Sequence, residues 1–238
     1  MSVQRQYPLA ELVLRIITGK QDLVITACQT QKDMKRLAGA RSICLDAYGA
    51  DITGKKYDLE VQRADKGSDP HRDRYHSSVM DVENLDAGQE FSELPETYTI
   101  FITEKDFYGL GKPVYRIERM NLDTGNPFSD GEHILYVNGE YRGDSDIGKL
   151  MHDFNCTDAA DMNFELMAER TRYLKENPEG VRQMCKLIED MRREERVEER
   201  LEIAKNMLLD GMLSLEKIAE YARLSLDEVK KLQAGQSA

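Results

Sequence analysis

Asp46, Glu60 and Gln62 have the residue types and the spacing for work on a phosphodiester. They lie in Ser42 to Gln62, where Ile43, Leu45 and Ala47 alternate with Cys44, Asp46 and Tyr48. Further on, Tyr57, Leu59 and Val61 alternate with Asp58, Glu60 and Gln62. Alternation with period two predicts two strands whose faces differ in character. Between them, Asp51-Ile-Thr-Gly-Lys55 reads as a tight turn, with Gly54 where a positive φ is needed. A loop from Ile52 to Gly54 pairs Asp51 with Lys55, and the same register sets Asp46 opposite Glu60. Side chains opposed in this way have Cβ atoms only ~5 Å apart, and like charges there repel. Two such carboxylates call for a cation. Mg²⁺ suits them, with Mn²⁺ as an alternative, because a hard ion takes few protein carboxylates and keeps several waters. The chemistry expected is metal-dependent hydrolysis of a phosphodiester bond.

Several elements must carry this hairpin. Leu9, Leu12, Val13, Ile16 and Ile17 have helical spacing, and Gly19 is a stop. Asp22 to Cys28 is short and β-branched, which predicts a strand. After the hairpin, Ala64 to Pro70 is a polar loop. His71 to Ala87 reads as a helix with Tyr75, Val79, Val82 and Leu85 on one side. Thr97 to Thr103 is the strongest buried-strand signal in the chain. Val114 to Met120 and His133 to Val137 read as further strands, and Asn138-Gly139 as a hairpin turn with a short return through Tyr141.

From about Ser145 strand signals vanish. Asp158 to Asn177 and Glu179 to Asp210 are charged helix candidates, closed by Pro178 and Gly211. The second carries opposite charges at i,i+4, such as Glu189 and Arg193, which suits a solvated face. Ser214 to Tyr221 and Ser225 to Leu232 are short helices with serine at each N-cap. Only the second, with Glu228, makes a capping box. The expected division is residues 1–144 as one α/β domain and 145–238 as a helical region ending in a helix-turn-helix-like pair.

The chain of 238 residues has room for one mixed domain plus this appendage. A formal net charge of −11 excludes a uniformly basic nucleic-acid coat, though not a local metal centre with a Lys/Arg rim. The four cysteines, Cys28, Cys44, Cys156 and Cys185, form no C-x-x-C pair, so a reducing, cytoplasmic setting is expected and a zinc module is not. His71, His76, His133 and His152 lack zinc-ligand spacing. No stretch approaches a membrane span, and no secretory leader is evident.

The order helix, strand, hairpin with D…E-x-Q, helix, strand resembles the PD-(D/E)XK nuclease core, a restriction-endonuclease-like mixed sheet flanked by helices. More narrowly, the chain resembles the PD-(D/E)XK nuclease family transposases, or recombination-promoting nucleases. The matching stretches are Arg41-Ser-Ile-Cys-Leu-Asp46, Asp51-Ile-Thr-Gly54, Tyr57-Asp-Leu-Glu-Val-Gln62, Arg72-Asp-Arg-Tyr75 and the tail from Ala204 through Leu232. By this resemblance Asp46 and Glu60 ligate a divalent metal, the Val61 carbonyl completes the site, and the substrate is DNA. Gln62 stands where the broad superfamily usually has lysine. It can orient water or donate a hydrogen bond, but it cannot act as an ammonium. Related cores carry an acidic residue on the first helix, for which Glu11 is the candidate.

Other residues admit two readings. Arg72, Arg74 and His76 can meet DNA phosphates or salt-bridge the acidic sheet. Arg63, with Lys55, Lys56 and Lys66, is a phosphate track or a solvated rim. In the last two helices, Asp227 and Glu228 open the second helix and oppose DNA contact, which favours docking or homodimerisation over a reading head. The alternative to a Mg²⁺-dependent DNA endonuclease is a catalytically inactive nuclease-fold protein that assembles through its helical tail.

Overall fold

A computed structural model of the chain describes residues 7–33, 44–62 and 69–236. Packing divides the chain into two units, Met1–Glu169 and Arg170–Ala238. The first is built on a mixed six-stranded sheet flanked by helices. Helix α1 (Pro8–Thr18) leads into an antiparallel meander of β1 (Ile25–Asp33), β2 (Cys44–Asp51) and β3 (Lys56–Gln62). A crossover through α2 (Pro70–Asn84) then lays β4 (Thr97–Thr103) parallel to β3. Beyond β4 the chain runs out to the edge strand β5 (Val114–Ile117) and a small ribbon of β6 (Met120–Asn121) and β7 (Asn126–Pro127). It returns as β8 (Glu132–Asn138), which slots between β4 and β5. The order across the sheet is β1-β2-β3-β4-β8-β5.

The two faces of this sheet differ. One face offers Tyr57, Tyr98, Ile100, Ile102, Leu135 and Val137 to α1 and to α3 (Asp146–Asn155), which bring Val13, Leu14, Ile17, Leu150 and Met151. The other face is covered by α2 and carries Asp58, Glu60, Thr99, Phe101 and Tyr136, all buried. A polar sheet face selects a polar helix face. The residues α2 buries are therefore Asp73, His76, Ser77 and Met80, not the expected stripe of Tyr75, Val79, Val82 and Leu85. Val79 is only partly buried and Val82 is 45% exposed. Asp69 opens α2 by accepting the His71 amide at 2.7 Å, and Pro70 fits the first turn because its missing N–H would have no partner there.

Three further expectations change on the structure. Asn138-Gly139 does turn, with the Tyr141 amide reaching the Asn138 carbonyl at 3.1 Å, but no strand returns; the chain enters α3. Glycine is required there by a close approach, since a Cβ on Gly139 would sit 2.3 Å from the Thr103 carbonyl oxygen. Val114 to Met120 is two short strands rather than one. The helix expected over Asp158 to Asn177 is a single turn at Ala159–Asp161 followed by α4 (Glu165–Glu176). The Asp153 carboxylate accepts the Asn163 and Phe164 amides at 2.8 Å each and so starts α4 late.

In the second unit, α5 (Pro178–Asp210) is closed by Gly211 at φ 66°. Helices α6 (Leu215–Ala222) and α7 (Leu226–Gln236) follow. Ile218, Ala219, Ala222 and Val229 form a small core with Leu224 beside them. Ala204, Met207 and Leu208 from α5 complete it as a three-helix cluster. The Ser225–Glu228 capping box is present, with the Ser225 amide 2.7 Å from Glu228 Oε2 and the Glu228 amide 3.2 Å from Ser225 Oγ. The side chains of Glu189 and Arg193 lie outside the described set. Among the described residues, no helix is long and apolar enough to cross a membrane.

Candidate active site

The β2–β3 ladder pairs Ala50 with Lys56, Gly49 with Tyr57, Tyr48 with Asp58 and Ala47 with Leu59. One further step in this register sets Asp46 opposite Glu60. The turn that fixes the register is held by Asp51. Its Oδ1 accepts the Thr53 and Lys55 amides at 2.8 and 3.1 Å, and its Oδ2 accepts the Tyr57 hydroxyl at 2.7 Å. Asp46 and Glu60 brace one another across the strands. The Asp46 amide donates to Glu60 Oε1 at 3.0 Å, and the Val61 amide donates to Asp46 Oδ2 at 2.9 Å. Gln62 Nε2 reaches Glu60 Oε2 at 3.5 Å. Asp46, Glu60, Val61 and Gln62 thus share one end of the hairpin.

Burial divides the carboxylates. Asp46 is exposed, whereas Glu60 is only 1% exposed and Asp58 0%. Burial, followed by the charges of Asp58 and Asp46, pushes the Glu60 carboxyl up to about 8. Burial also pushes Asp58 to about 8, with Asp46 and Asp73 adding to the rise. Such groups ionise together only with a cation close by. Oδ1 of Asp58 is buried without a hydrogen-bond partner, which adds to the unmet demand for positive charge. Exposed Asp46 gives solvent and substrate access to the same point. Asp46 and Glu60 therefore fit a divalent cation, and the Val61 backbone is adjacent.

Asp58, which lies beyond the expected set, joins the site, and His76, which admitted two readings, meets the acidic sheet there. His76, 1% exposed on α2, places Nδ1 3.1 Å from Asp58 Oδ2 and 3.9 Å from Glu60 Oε1. Ligating atoms of Asp58, Glu60 and His76 all lie within 4.8 Å of one another. The signal for Asp58 was its strand position, two residues before Glu60 on the same face. Of the two readings of His76, DNA phosphate or acidic sheet, the structure gives the second, because the crossover of α2 onto the sheet brings the ring to Asp58.

The remaining candidates separate cleanly. Arg72 meets the acidic sheet, with Nη2 3.5 Å from Glu60 Oε2 and Nε 3.3 Å from His76 Nε2. Arg74 is exposed on α2. Arg63 and Lys66 lie outside the described residues, and Lys55 pairs with Glu96 at 2.7 Å. Glu11 is not brought to the Asp46–Glu60 pair. It is buried on α1, where Oε1 accepts the Ile25 amide at 3.1 Å and Oε2 meets Arg15 Nη2 at 3.2 Å. Ile25 pairs with Asp51, five residues along β2 from Asp46, or about 16 Å at ~3.3 Å per residue. Helix α1 also covers the opposite sheet face from α2.

The model of the PD-(D/E)XK nuclease family transposases matches residues 9–217 of the chain. No curated protein matches the chain, and no solved structure does. The match takes in the sheet, α2 with its polar underside and the braced Asp46–Glu60 hairpin. This chain therefore belongs to the PD-(D/E)XK nuclease family transposases.

Proposed function

We propose that the protein is a Mg²⁺-dependent DNA endonuclease acting in recombination or on mobile elements, with Mn²⁺ as an alternative metal. The observation that carries this reading is the braced pair: an exposed Asp46 and a buried Glu60 on neighbouring strands, each accepting an amide from the other's strand. Asp46, Glu60 and the Val61 carbonyl would hold the metal. Bound there, a divalent ion supplies a Lewis acid for the scissile phosphate and lowers the pKa of a water to make the nucleophile. The braces fix both carboxylates before substrate arrives, so little reorganisation is needed at the moment of reaction. Gln62, already donating towards Glu60, orients that water. Arg74 and Arg63 are the contacts proposed for flanking DNA phosphates, which position the duplex without reading its sequence.

Purified protein should nick or cut DNA with Mg²⁺ or Mn²⁺. Asp46→Ala or Glu60→Ala should each abolish cleavage while circular dichroism shows an unchanged fold. Cleavage by both variants at the parental rate would remove these residues from the chemistry. Homodimerisation is proposed through the C-terminal helices, where Leu209, Met212 and Tyr221 are exposed. Light scattering at twice the chain mass of 27.3 kDa supports it, and a monomeric mass counts against it.

A further inference from the structure

Arg72 is the cation hydrogen-bonded to the acidic cluster among the described residues, and its placement is over-determined. It stands in the first turn of α2, one helical turn before His76, so both side chains lie on the face that covers β3. Arginine has donors and no acceptor. The contact of Arg72 Nε with His76 Nε2 at 3.3 Å therefore requires a lone pair on Nε2. The neutral ring then carries its hydrogen on Nδ1, which faces Asp58 Oδ2 at 3.1 Å. One tautomer satisfies both bonds. The ring cannot turn away from them: it is 1% exposed and packs edge-on against Phe101, with centroids 5.7 Å apart at 63°. Asp58, its acceptor, is wholly buried in β3.

The chain Asp58–His76–Arg72 thus runs from the core outward and ends in a guanidinium that is 38% exposed. That guanidinium meets Glu60 Oε2 at a long 3.5 Å, and Gln62 Nε2 converges on the same oxygen at 3.5 Å. A fixed, partly exposed fork beside a braced acidic pair has donors left for the oxygens of a phosphate. Gln62 is neutral and cannot provide that charge. The same hydrogen accounting decides against reading Asp58, Glu60 and His76 as a cation cage, because Nδ1 presents a hydrogen to the carboxylates rather than a lone pair.

We propose that Arg72 is a catalytic residue that stabilises charge on the scissile phosphate, and that Asp58 and His76 are positioning residues that hold its guanidinium in place. This rests on the nuclease reading. Arg72→Ala should lower the single-turnover rate of DNA cleavage at saturating DNA about 100-fold. DNA affinity measured by anisotropy in Ca²⁺ should fall only a few-fold. Added guanidinium should restore part of the rate, and sodium chloride at equal ionic strength should not. His76→Phe should cost about 10-fold in the same rate, and His76→Gln, which keeps an acceptor for Arg72, should cost less. The second readout needs no turnover. With ¹⁵Nε-labelled arginine, the Arg72 Nε–H resonance should be protected from exchange in the parent and in His76→Gln, and lose protection in His76→Phe.

Parental cleavage by Arg72→Ala, or unchanged Nε–H protection in His76→Phe, overturns the proposal. So does bound Mn²⁺ showing a ¹⁴N spin-echo coupling that vanishes in His76→Gln, which would make the ring a ligand. A parent that never cuts DNA yet keeps the protected resonance overturns the hydrolytic reading, and with it the role of Arg72, but not the hydrogen-bond chain.

Discussion

Glu11 joins α1 to the start of β1: one carboxylate oxygen takes the Ile25 amide and the other takes Arg15, whose Nε in turn donates to the Leu23 carbonyl at 2.8 Å. Glu11→Gln should therefore cost ~1–2 kcal/mol of stability in urea titrations, with cleavage per folded molecule unchanged. A lost cleavage activity in a fully folded variant would return Glu11 to the site. Asp73 makes a different kind of statement. It is buried on α2, its Oδ1 has no hydrogen-bond partner, and burial together with Glu132 raises its carboxyl to about 7. The unfolded chain ionises this group near 4. Between pH 4 and 7 the folded state thus holds a proton that the unfolded state has released, and stability falls as pH rises through that window. Asp73→Asn should remove this loss and make the chain more stable at pH 8, by as much as ~4 kcal/mol, with the difference shrinking as pH falls. Equal stability of both chains at pH 8 would refute the assignment. At this scale the sequence revealed Asp46 and Glu60, because a counted turn plus period-two alternation fixes which residues oppose. It named His76 as able to meet the acidic sheet but could not choose that over a DNA phosphate or single out Asp58 as the partner, since no local pattern encodes what a crossover helix lays onto a sheet.

Elements were legible where one physical signal dominated. All seven residues of β4 are buried, and a strand buried on both faces announces itself as an unbroken run of β-formers. The capping box at Ser225 fixed the start of α7. Helix α3 left no such mark; it is short and carries Gly148, which sits against the Gly143 carbonyl. The face of α2 was misjudged because apolar spacing points to the core only when the opposing surface is apolar. The turn between α6 and α7 offers a test. Arg223 adopts φ 54° and ψ 42°, the left-handed region, and its amide bonds the Ala219 and Glu220 carbonyls. A residue with a Cβ is strained there, and glycine is the usual solution. Arg223→Gly should stabilise the α5–α6–α7 cluster by up to ~1 kcal/mol, read as a higher melting temperature of the C-terminal helices. A drop would mean that the arginine side chain itself holds the turn.

For the molecule as a whole, the net charge of −11 sets the terms of DNA association. Without a uniformly basic surface, side chains are expected to neutralise few phosphates. Taking Arg63, Arg72 and Arg74 as the contacts, log K for DNA binding should fall with log salt at a slope of roughly −3. A slope several times steeper, measured by anisotropy over a range of salt, would expose a larger basic track than these three arginines. The path of the chain through the sheet has a consequence during synthesis. Strand β4 emerges with β3 on one side, but its other neighbour, β8, is the last strand to leave the ribosome, after the whole β5–β7 excursion. Until then Tyr98, Ile100, Phe101 and Ile102 belong to an open edge with unpaired amides and carbonyls, the kind of template that captures other nascent chains. A chain released before Glu132 leaves that edge permanently bare, so a premature stop in this interval yields aggregate or chaperone cargo, not a shortened but folded protein.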